Sequence, residues 1–125
     1  MTEMQCQAVV VHCLDFRLQK NINDWLQRRF GLSDYDRISW AGGVLDLETV
    51  LDQVELCVRV HGIRRAVFIN HEDCRAYGEA GNPERHFADL RHAQERCKNR
   101  FPDLEVELYY LHLTGIFEKV AAAKA

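Results

Sequence analysis

The sequence lacks long hydrophobic runs and blocks of like charge. No apolar stretch approaches the roughly 20 residues of a membrane span, and the start, MTEMQCQ, lacks the basic-then-apolar plan of a signal peptide. The net charge of −3 comes from interspersed acids and bases, which argues against a nucleic-acid groove or an anionic membrane surface. We therefore expect small-molecule or protein partners, no nucleic-acid or membrane partner, and a cytoplasmic location.

A disulfide framework is also missing. The five cysteines are an odd number without framework spacing: Cys6, Cys13, Cys57, Cys74 and Cys97. This pattern favours reduced thiols, so some of them are free to bind metal. We interpret Cys6, Cys57 and Cys97 as structural. The histidines His12, His61, His86, His92 and His112 have no ligand spacing relative to the metal site predicted below, and we interpret them as packing or surface residues.

Apolar patterning predicts alternating strands and helices. With 125 residues and 47% hydrophobic content, the chain is expected to form one domain over residues 1–125. The predicted strands are residues 8–13, 36–41, 65–70 and 104–111, with a short antiparallel edge at 116–120. Helical spacing predicts three helices, which end at Gly31, run from Asp46 to Gly62, and run from Asn82 to before Pro102. This pattern predicts an α/β fold with three layers, a mostly parallel four-stranded sheet in the order 2-1-3-4, and helices on both faces.

Metal-ligating side chains follow two strands that this order makes neighbours. Cys13 ends the first strand, and His71 and Cys74 follow the third. Two thiols and an imidazole suit tetrahedral zinc and fill three of its corners. If Asp15 fills the fourth corner, the site is closed and structural. If water fills it and Asp15 accepts a hydrogen bond from that water, the site can generate a nucleophile.

Arg17 is expected to hold Asp15 through a bidentate contact that keeps the carboxylate ionised and away from the metal. On a continuing strand Cys13, Asp15 and Arg17 would share one face, so all three could point into the same crevice. Gly42 and Gly43 follow the second strand, and their amides are expected to line the pocket and bind substrate.

Two motifs carry a resemblance to a known family. The pairing of Cys-x-Asp-x-Arg at residues 13–17 with His-x-x-Cys at 71–74 resembles the zinc signature of the β-class carbonic anhydrases, and WAGGV at 40–44 resembles their glycine-bearing segment. The resemblance implies that Cys13, His71 and Cys74 bind zinc. It also implies that Asp15 either bonds to zinc-bound water or takes its place, and that Arg17 holds Asp15.

The resemblance also implies a mostly parallel sheet, assembly as dimers or larger, and reversible hydration of carbon dioxide to bicarbonate by zinc-bound hydroxide. We expect some of the aromatic residues Trp25, Trp40, Tyr109 and Tyr110 to be buried against a second copy of the chain.

Three alternatives to this function stay open. One is hydrolysis of carbon disulfide or carbonyl sulfide on the same zinc. Another is a zinc-stabilised binding module with a closed site, in which Arg75 binds an anionic ligand or partner; Arg75 stands where the family commonly has a glycine. A third is a thiol-based redox protein that uses Cys13 and Cys74.

Overall fold

A five-stranded sheet runs through the centre of the protein, and the computed structural model describes residues 4–122 of the chain. The strands occur in the order β2-β1-β3-β4-β5, with β1 to β4 parallel and β5 antiparallel to β4. They are β1 (Ala8–His12), β2 (Tyr35–Ser39), β3 (Arg65–His71), β4 (Glu105–Leu111) and β5 (Phe117–Lys119). The predicted α/β class, the 2-1-3-4 order and the antiparallel edge are confirmed. The first residues of MTEMQCQ and the end of the alanine-rich tail lie outside the described residues.

Three helices connect the parallel strands. They are α1 (Gln19–Phe30), α2 (Leu47–His61) and α3 (Pro83–Arg100). Gly62 ends α2 in the left-handed conformation, and Asn82 caps α3 by accepting a hydrogen bond from the Arg85 amide. Within residues 4–122, no helix is both long enough and apolar enough to cross a membrane.

The helices cover both faces of the sheet, as predicted. Alternate residues of β1 point to opposite sides, so Val9 and Val11 join the core formed with α2 and α3, whereas Ala8 and Val10 join the core formed with α1. All four are fully buried. A strand buried on both faces reads as a continuous apolar run, which explains the sequence AVVV.

The segment after β1 differs from its prediction. The strand ends at His12, and Asp15 caps a short 3₁₀ turn at Phe16–Leu18 by accepting a hydrogen bond from the Arg17 amide. The expectation that Cys13, Asp15 and Arg17 share one face of a continuing strand is therefore wrong. The cap takes the chain out of the extended conformation directly after Cys13.

Three of the four aromatic residues expected at an interface make contacts within their own chain. Tyr110 is buried inside its own chain. Trp25 stacks on Phe117, with ring centroids 4.7 Å apart, and meets the edge of Tyr109 at 4.9 Å. Trp40 is the one of the four predicted residues that stays exposed. Trp25 of α1 therefore packs against Tyr109 of β4 and Phe117 of β5, and these contacts cover part of the aromatic surface. Burial against a second copy stays a prediction.

Glu107 provides a first testable feature of the fold. Burial alone would raise the pKa of Glu107, but Arg29, Arg65 and the Tyr109 hydroxyl all contact its carboxylate and lower the pKa to about 2. We expect Glu107→Gln to lower the free energy of unfolding at pH 7 by about 2 kcal/mol. The loss should shrink as pH falls from about 4.3, where an unfolded glutamate protonates, towards 2.

Denaturant unfolding of both proteins between pH 2 and pH 7 measures this difference. Glu105→Gln is the matched control, because Glu105 lies on the same strand and contacts the same Arg65, yet its side chain is 68% exposed. We expect it to cost about 0.5 kcal/mol or less. Equal losses in the two variants would contradict a special role for Glu107.

Candidate metal centre

The carboxyl ends of β1 and β3 bring three metal-ligating side chains together. The two strands are adjacent and parallel, with His12 beside Ile69. Cys13 follows β1, His71 ends β3, and Cys74 lies in the turn beyond, where Asp73 takes a φ of +57°. The ligating atoms of Cys13, His71 and Cys74 all lie within 4.8 Å of one another, and all three residues are buried. Sequence reasoning predicted this convergence.

The geometry of the cluster fits a tetrahedral metal ion. The Sγ atoms of Cys13 and Cys74 are 3.9 Å apart, and two sulfurs bound at 2.3 Å to a tetrahedral zinc would be about 3.8 Å apart. His71 Nδ1 contacts the Glu72 carbonyl at 2.7 Å and therefore carries the proton, whereas its buried Nε2 has no hydrogen-bond partner. An unpaired, buried Nε2 is available as a ligand, and the backbone contact fixes its direction.

The sulfurs of Cys13 and Cys74 lie within hydrogen-bond distance of each other. The Cys74 thiol donates towards Cys13, which keeps the pKa of the Cys13 thiol well below its ordinary value, and the Gly42 amide donates to the same sulfur at 3.3 Å. The pKa of Cys74 is correspondingly raised. A cation bound between the sulfurs would displace the thiol protons.

Asp15 lies beside the cluster and is held by Arg17. Its Oδ2 is 3.9 Å from His71 Nε2. Arg17 donates to both carboxylate oxygens, from Nη2 at 2.7 Å and from Nε at 3.1 Å, and its backbone amide donates at 2.9 Å. These hydrogen bonds lower the pKa of Asp15 to about 2. The convergent ligand atoms are those of Cys13, His71 and Cys74, and the carboxylate of Asp15 faces Arg17.

Arg17 also joins the two loops of the site. Its Nη1 donates to Asp73 Oδ2 at 3.0 Å, and its Nη2 donates to the Asp73 carbonyl at 2.8 Å. The side chain thereby ties the turn that carries Cys74 to the segment that carries Asp15. Sequence reasoning identified the contact with Asp15 and missed the one with Asp73.

The predicted glycines lie behind the cluster. Gly42 donates to the Cys13 sulfur, as described, and Gly43 passes so close to Asn70 that an added Cβ would lie 2.4 Å from its Oδ1. The pocket in front of the cluster contains Ala41 but neither glycine. Its lining consists of Cys13, Leu14, Asp15, Phe16, Arg17, Ala41, Arg75 and Ala76. A substrate contact from Gly42 or Gly43 stays a prediction.

A substitution at Gly43 tests how closely the loop after β2 packs against Asn70. Gly43→Ala should lower the free energy of unfolding by about 3 kcal/mol, because the new methyl group meets both left-handed strain and Asn70. Gly78→Ala is the matched control: its φ of +63° equals the +64° of Gly43 within a degree, but nothing lies within 4 Å of its added Cβ. The control should cost about 1 kcal/mol. Equal costs in thermal or chemical unfolding would contradict the tight fit.

A network of buried polar side chains next to His71 was missed by the sequence analysis. Asn70 Nδ2 donates to the Tyr77 hydroxyl and to His86 Nδ1, each at 3.0 Å, and its Oδ1 accepts from the Val44 amide at 3.2 Å. The Tyr77 hydroxyl donates to Asp89 at 2.8 Å. These contacts connect β3, the glycine-containing loop and α3 behind the cluster.

His12 makes separate buried polar contacts on the other face of the sheet, the face covered by α1. Its Nδ1 donates to the Cys13 carbonyl at 2.7 Å, and its Nε2 accepts from Arg37 Nε at 2.6 Å. The ring is fully buried, and burial lowers the pKa of His12 to about 4. The sequence did contain a signal for His12 and Asn70. Each is a polar residue inside an apolar strand, directly before a predicted metal ligand: His12 before Cys13, and Asn70 before His71.

This chain is similar to known proteins in sequence and in fold. An uncharacterized protein of Rickettsia conorii is 29% identical over 136 residues, which cover 93% of this chain and 73% of that protein. A β-carbonic anhydrase of Trichomonas vaginalis has a TM-score of 0.71 at 14% identity over 96% of this chain and 86% of that one.

Two further solved structures share the fold. The apo form of a carbon disulfide hydrolase has a TM-score of 0.65 at 13% identity, covering 96% of this chain and 81% of that one. A tetrameric β-carbonic anhydrase of Sordaria macrospora has a TM-score of 0.62 at 10% identity, covering 98% and 84%. At these identities the likenesses show the fold alone.

A protein-family model described as "Putative carbonic anhydrase" matches residues 3–121. The match covers nearly the whole chain and includes every residue of the cluster. The chain belongs to this carbonic anhydrase family.

Proposed function

We propose that residues 1–125 form one zinc-dependent carbonic anhydrase domain that converts carbon dioxide and water to bicarbonate and a proton. The observation that carries this proposal is the buried convergence of Cys13, His71 and Cys74, with Asp15 held beside it by Arg17. Family membership supports the same reaction class.

Zinc is the metal that suits these donors. Cys13, His71 and Cys74 would hold it, because two thiolates and one imidazole in a tetrahedral arrangement favour zinc over hard cations. When bound, the ion supplies Lewis acidity that makes water a nucleophile near neutral pH. The thiolates also balance the charge of the ion, which permits its burial.

Asp15 would position the attacking water. Its Oδ2 faces both Arg17 and the cluster, so the carboxylate can accept a hydrogen bond from water on the cluster side. Arg17 keeps the carboxylate ionised and fixes its orientation through two parallel contacts. This arrangement favours the catalytic role of Asp15 over its role as a fourth metal ligand, because the contacts with Arg17 hold its oxygens.

The pocket suits a small, uncharged substrate. Leu14, Phe16, Ala41 and Ala76 give it an apolar wall. Arg75 stands at the rim, with its side chain 84% exposed and its Nε 3.6 Å from Asp73 Oδ1. An apolar wall accepts carbon dioxide, and a cation at the rim favours an anionic product such as bicarbonate.

Hydrolysis of carbon disulfide or carbonyl sulfide is the second candidate. The apolar pocket accepts these linear molecules as well, and the fold is shared with a carbon disulfide hydrolase. Assays of the zinc-loaded protein with all three gases separate the candidates. We expect carbon dioxide to turn over fastest. Faster turnover of a sulfur compound would favour the second candidate, and turnover of none would favour a closed zinc-stabilised binding module.

We further propose that the protein works as a homodimer or larger homo-oligomer. Exposed apolar side chains cluster in the segments that follow the carboxyl ends of β1, β2 and β4, next to the pocket. They are Leu14, Phe16, Trp40, Leu45, Leu113 and Ile116. An exposed apolar surface at the carboxyl ends of the strands is typical of a subunit interface. A solved structure with the same fold is described as tetrameric.

A charged side chain introduced into this apolar surface should weaken the association of subunits. Ile116→Asp is expected to shift the protein towards monomer in sedimentation at micromolar concentration, because Ile116 is 63% exposed in the single chain. Leu32→Asp is the matched control, since Leu32 is 76% exposed but follows α1 at the opposite edge of the sheet. A monomeric wild type, or equal effects of the two changes, would contradict this surface.

We also propose a cytoplasmic location. All five cysteines are free thiols in the structure, and three of them are buried. Reduced thiols that serve as metal ligands are typical of a reducing compartment.

A further inference from the structure

A second group of metal-ligating side chains lies near the amino-terminal ends of the parallel strands. Cys6 precedes β1, Asp36 is the second residue of β2, and His61 is the last residue of α2. Their ligating atoms all lie within 4.8 Å of one another. Cys6 and Cys13 flank opposite ends of β1, whose five residues span about 16 Å, so this group is separate from the first cluster.

The three residues are tied to one another. His61 Nδ1 lies 2.6 Å from Asp36 Oδ2, and the Cys6 amide donates to the His61 carbonyl at 3.2 Å. The side chains of Asp36 and His61 are 25% and 34% exposed, and Cys6 is partly buried. The group is therefore sheltered but reachable, unlike the fully buried residues around it.

We propose that Cys6, Asp36 and His61 form a second zinc site. One thiolate, one imidazole and one carboxylate are all zinc ligands, and together they supply two negative charges to balance the ion. In a tetrahedral zinc site such donor atoms lie about 3.3 to 3.6 Å apart, so zinc binding would open the 2.6 Å contact between His61 and Asp36 and close the wider separations, which reach at most 4.8 Å.

A second thiol stands next to this group. Cys57 lies one helical turn before His61 on α2, so both side chains lie on the same face of the helix. Burial, followed by the Asp36 carboxylate, raises the pKa of Cys57 to about 12, and the nearby Cys6 acts in the same direction. Cys57 lies outside the group whose ligand atoms are within 4.8 Å of one another, so it would have to turn towards the ion to serve as a fourth donor.

The local charges favour a cation. Burial and the Asp36 carboxylate raise the pKa of Cys6, because a thiolate and a carboxylate at this distance repel each other. A divalent ion would remove that repulsion and displace the proton. Cys6 also lines a polar surface cavity, together with Gln5, Gln7, Asp34, Gly62 and Arg64.

Metal counting tests the proposal. After dialysis against buffered zinc, we expect wild-type protein to hold two zinc ions per chain, and His61→Ala to hold one. Cys74→Ser should also hold one, and the double variant none. His92→Ala is the matched control, because His92 is an exposed histidine of α3 outside both groups, and it should hold two. One zinc per wild-type chain, unchanged by His61→Ala, would overturn the second site.

Residue-by-residue alkylation of wild-type protein gives a readout that needs no variant to fold. Zinc should slow the alkylation of Cys6 by about tenfold or more, because a bound thiolate is not free to react. Mass spectrometry reports Cys6 separately from Cys13 and Cys74, so a failure here is distinct from a failure of the carbonic anhydrase site. Unchanged alkylation of Cys6 in saturating zinc would refute the proposal.

Discussion

Replacing Cys74 with serine is expected to remove one zinc ion per chain and with it the hydration of carbon dioxide. The Cys74 sulfur lies 3.9 Å from that of Cys13 and completes the group that contains the unpaired Nε2 of His71. A neutral hydroxyl cannot replace a thiolate as a ligand at neutral pH. Because zinc binds only the folded state, its loss should lower the free energy of unfolding by about 4 kcal/mol at free zinc 1,000 times Kd.

Cys97→Ser is the matched control for this change. Cys97 is also fully buried, but it packs against the core on α3 and belongs to neither metal-ligating group. It should lose stability from burial of a hydroxyl and keep its full zinc content. Elemental analysis of the two variants decides the matter, and a Cys74→Ser protein with wild-type zinc content would show that the cluster is not the metal site.

Replacing Asp15 with asparagine is expected to keep the zinc and to lower turnover by about 100-fold or more, the usual scale for losing a positioned proton acceptor. The carboxylate accepts three hydrogen bonds from Arg17 side-chain nitrogens, and an amide cannot accept at both of its polar atoms. The expected signature is therefore a lower kcat with unchanged metal content.

Asp73→Asn is the matched control, because Asp73 offers a carboxylate to the same Arg17 but lies on the other loop. Arg17 keeps its contact with the Asp73 backbone carbonyl, so the clamp on Asp15 should persist and turnover should fall by about threefold at most. Arg17→Ala should release Asp15 towards the cluster and behave like Asp15→Asn. Wild-type rates in both Asp15→Asn and Arg17→Ala would leave the pair without a catalytic role.

The fold was predictable because each element had a local signal. The valines of β1 and the run before His71 indicated strands buried on both faces, and Gly31 and Gly62 marked the ends of helices. Strand ends were less accurate: β2 begins at Tyr35 and ends at Ser39, whereas the pattern predicted residues 36–41. The limits of a strand depend on pairing with its neighbour, which no single segment encodes.

The convergence of the three metal-ligating side chain types was predictable for a related reason. Parallel strands in a known order bring their carboxyl ends together, so Cys13, His71 and Cys74 followed from topology. The cap at Asp15 was not foreseen, because it depends on a side chain that hydrogen-bonds to its own backbone two residues on. The group of Cys6, Asp36 and His61 was missed because its members come from three separated segments at the edge opposite the motifs.

The most direct test measures zinc content and the rate of carbon dioxide hydration on the same preparations of wild-type and Cys74→Ser protein. The proposed function predicts that wild type hydrates carbon dioxide, and that the variant, with one zinc fewer per chain, does not. A folded wild-type protein that carries zinc at Cys13, His71 and Cys74 but does not hydrate carbon dioxide would contradict it.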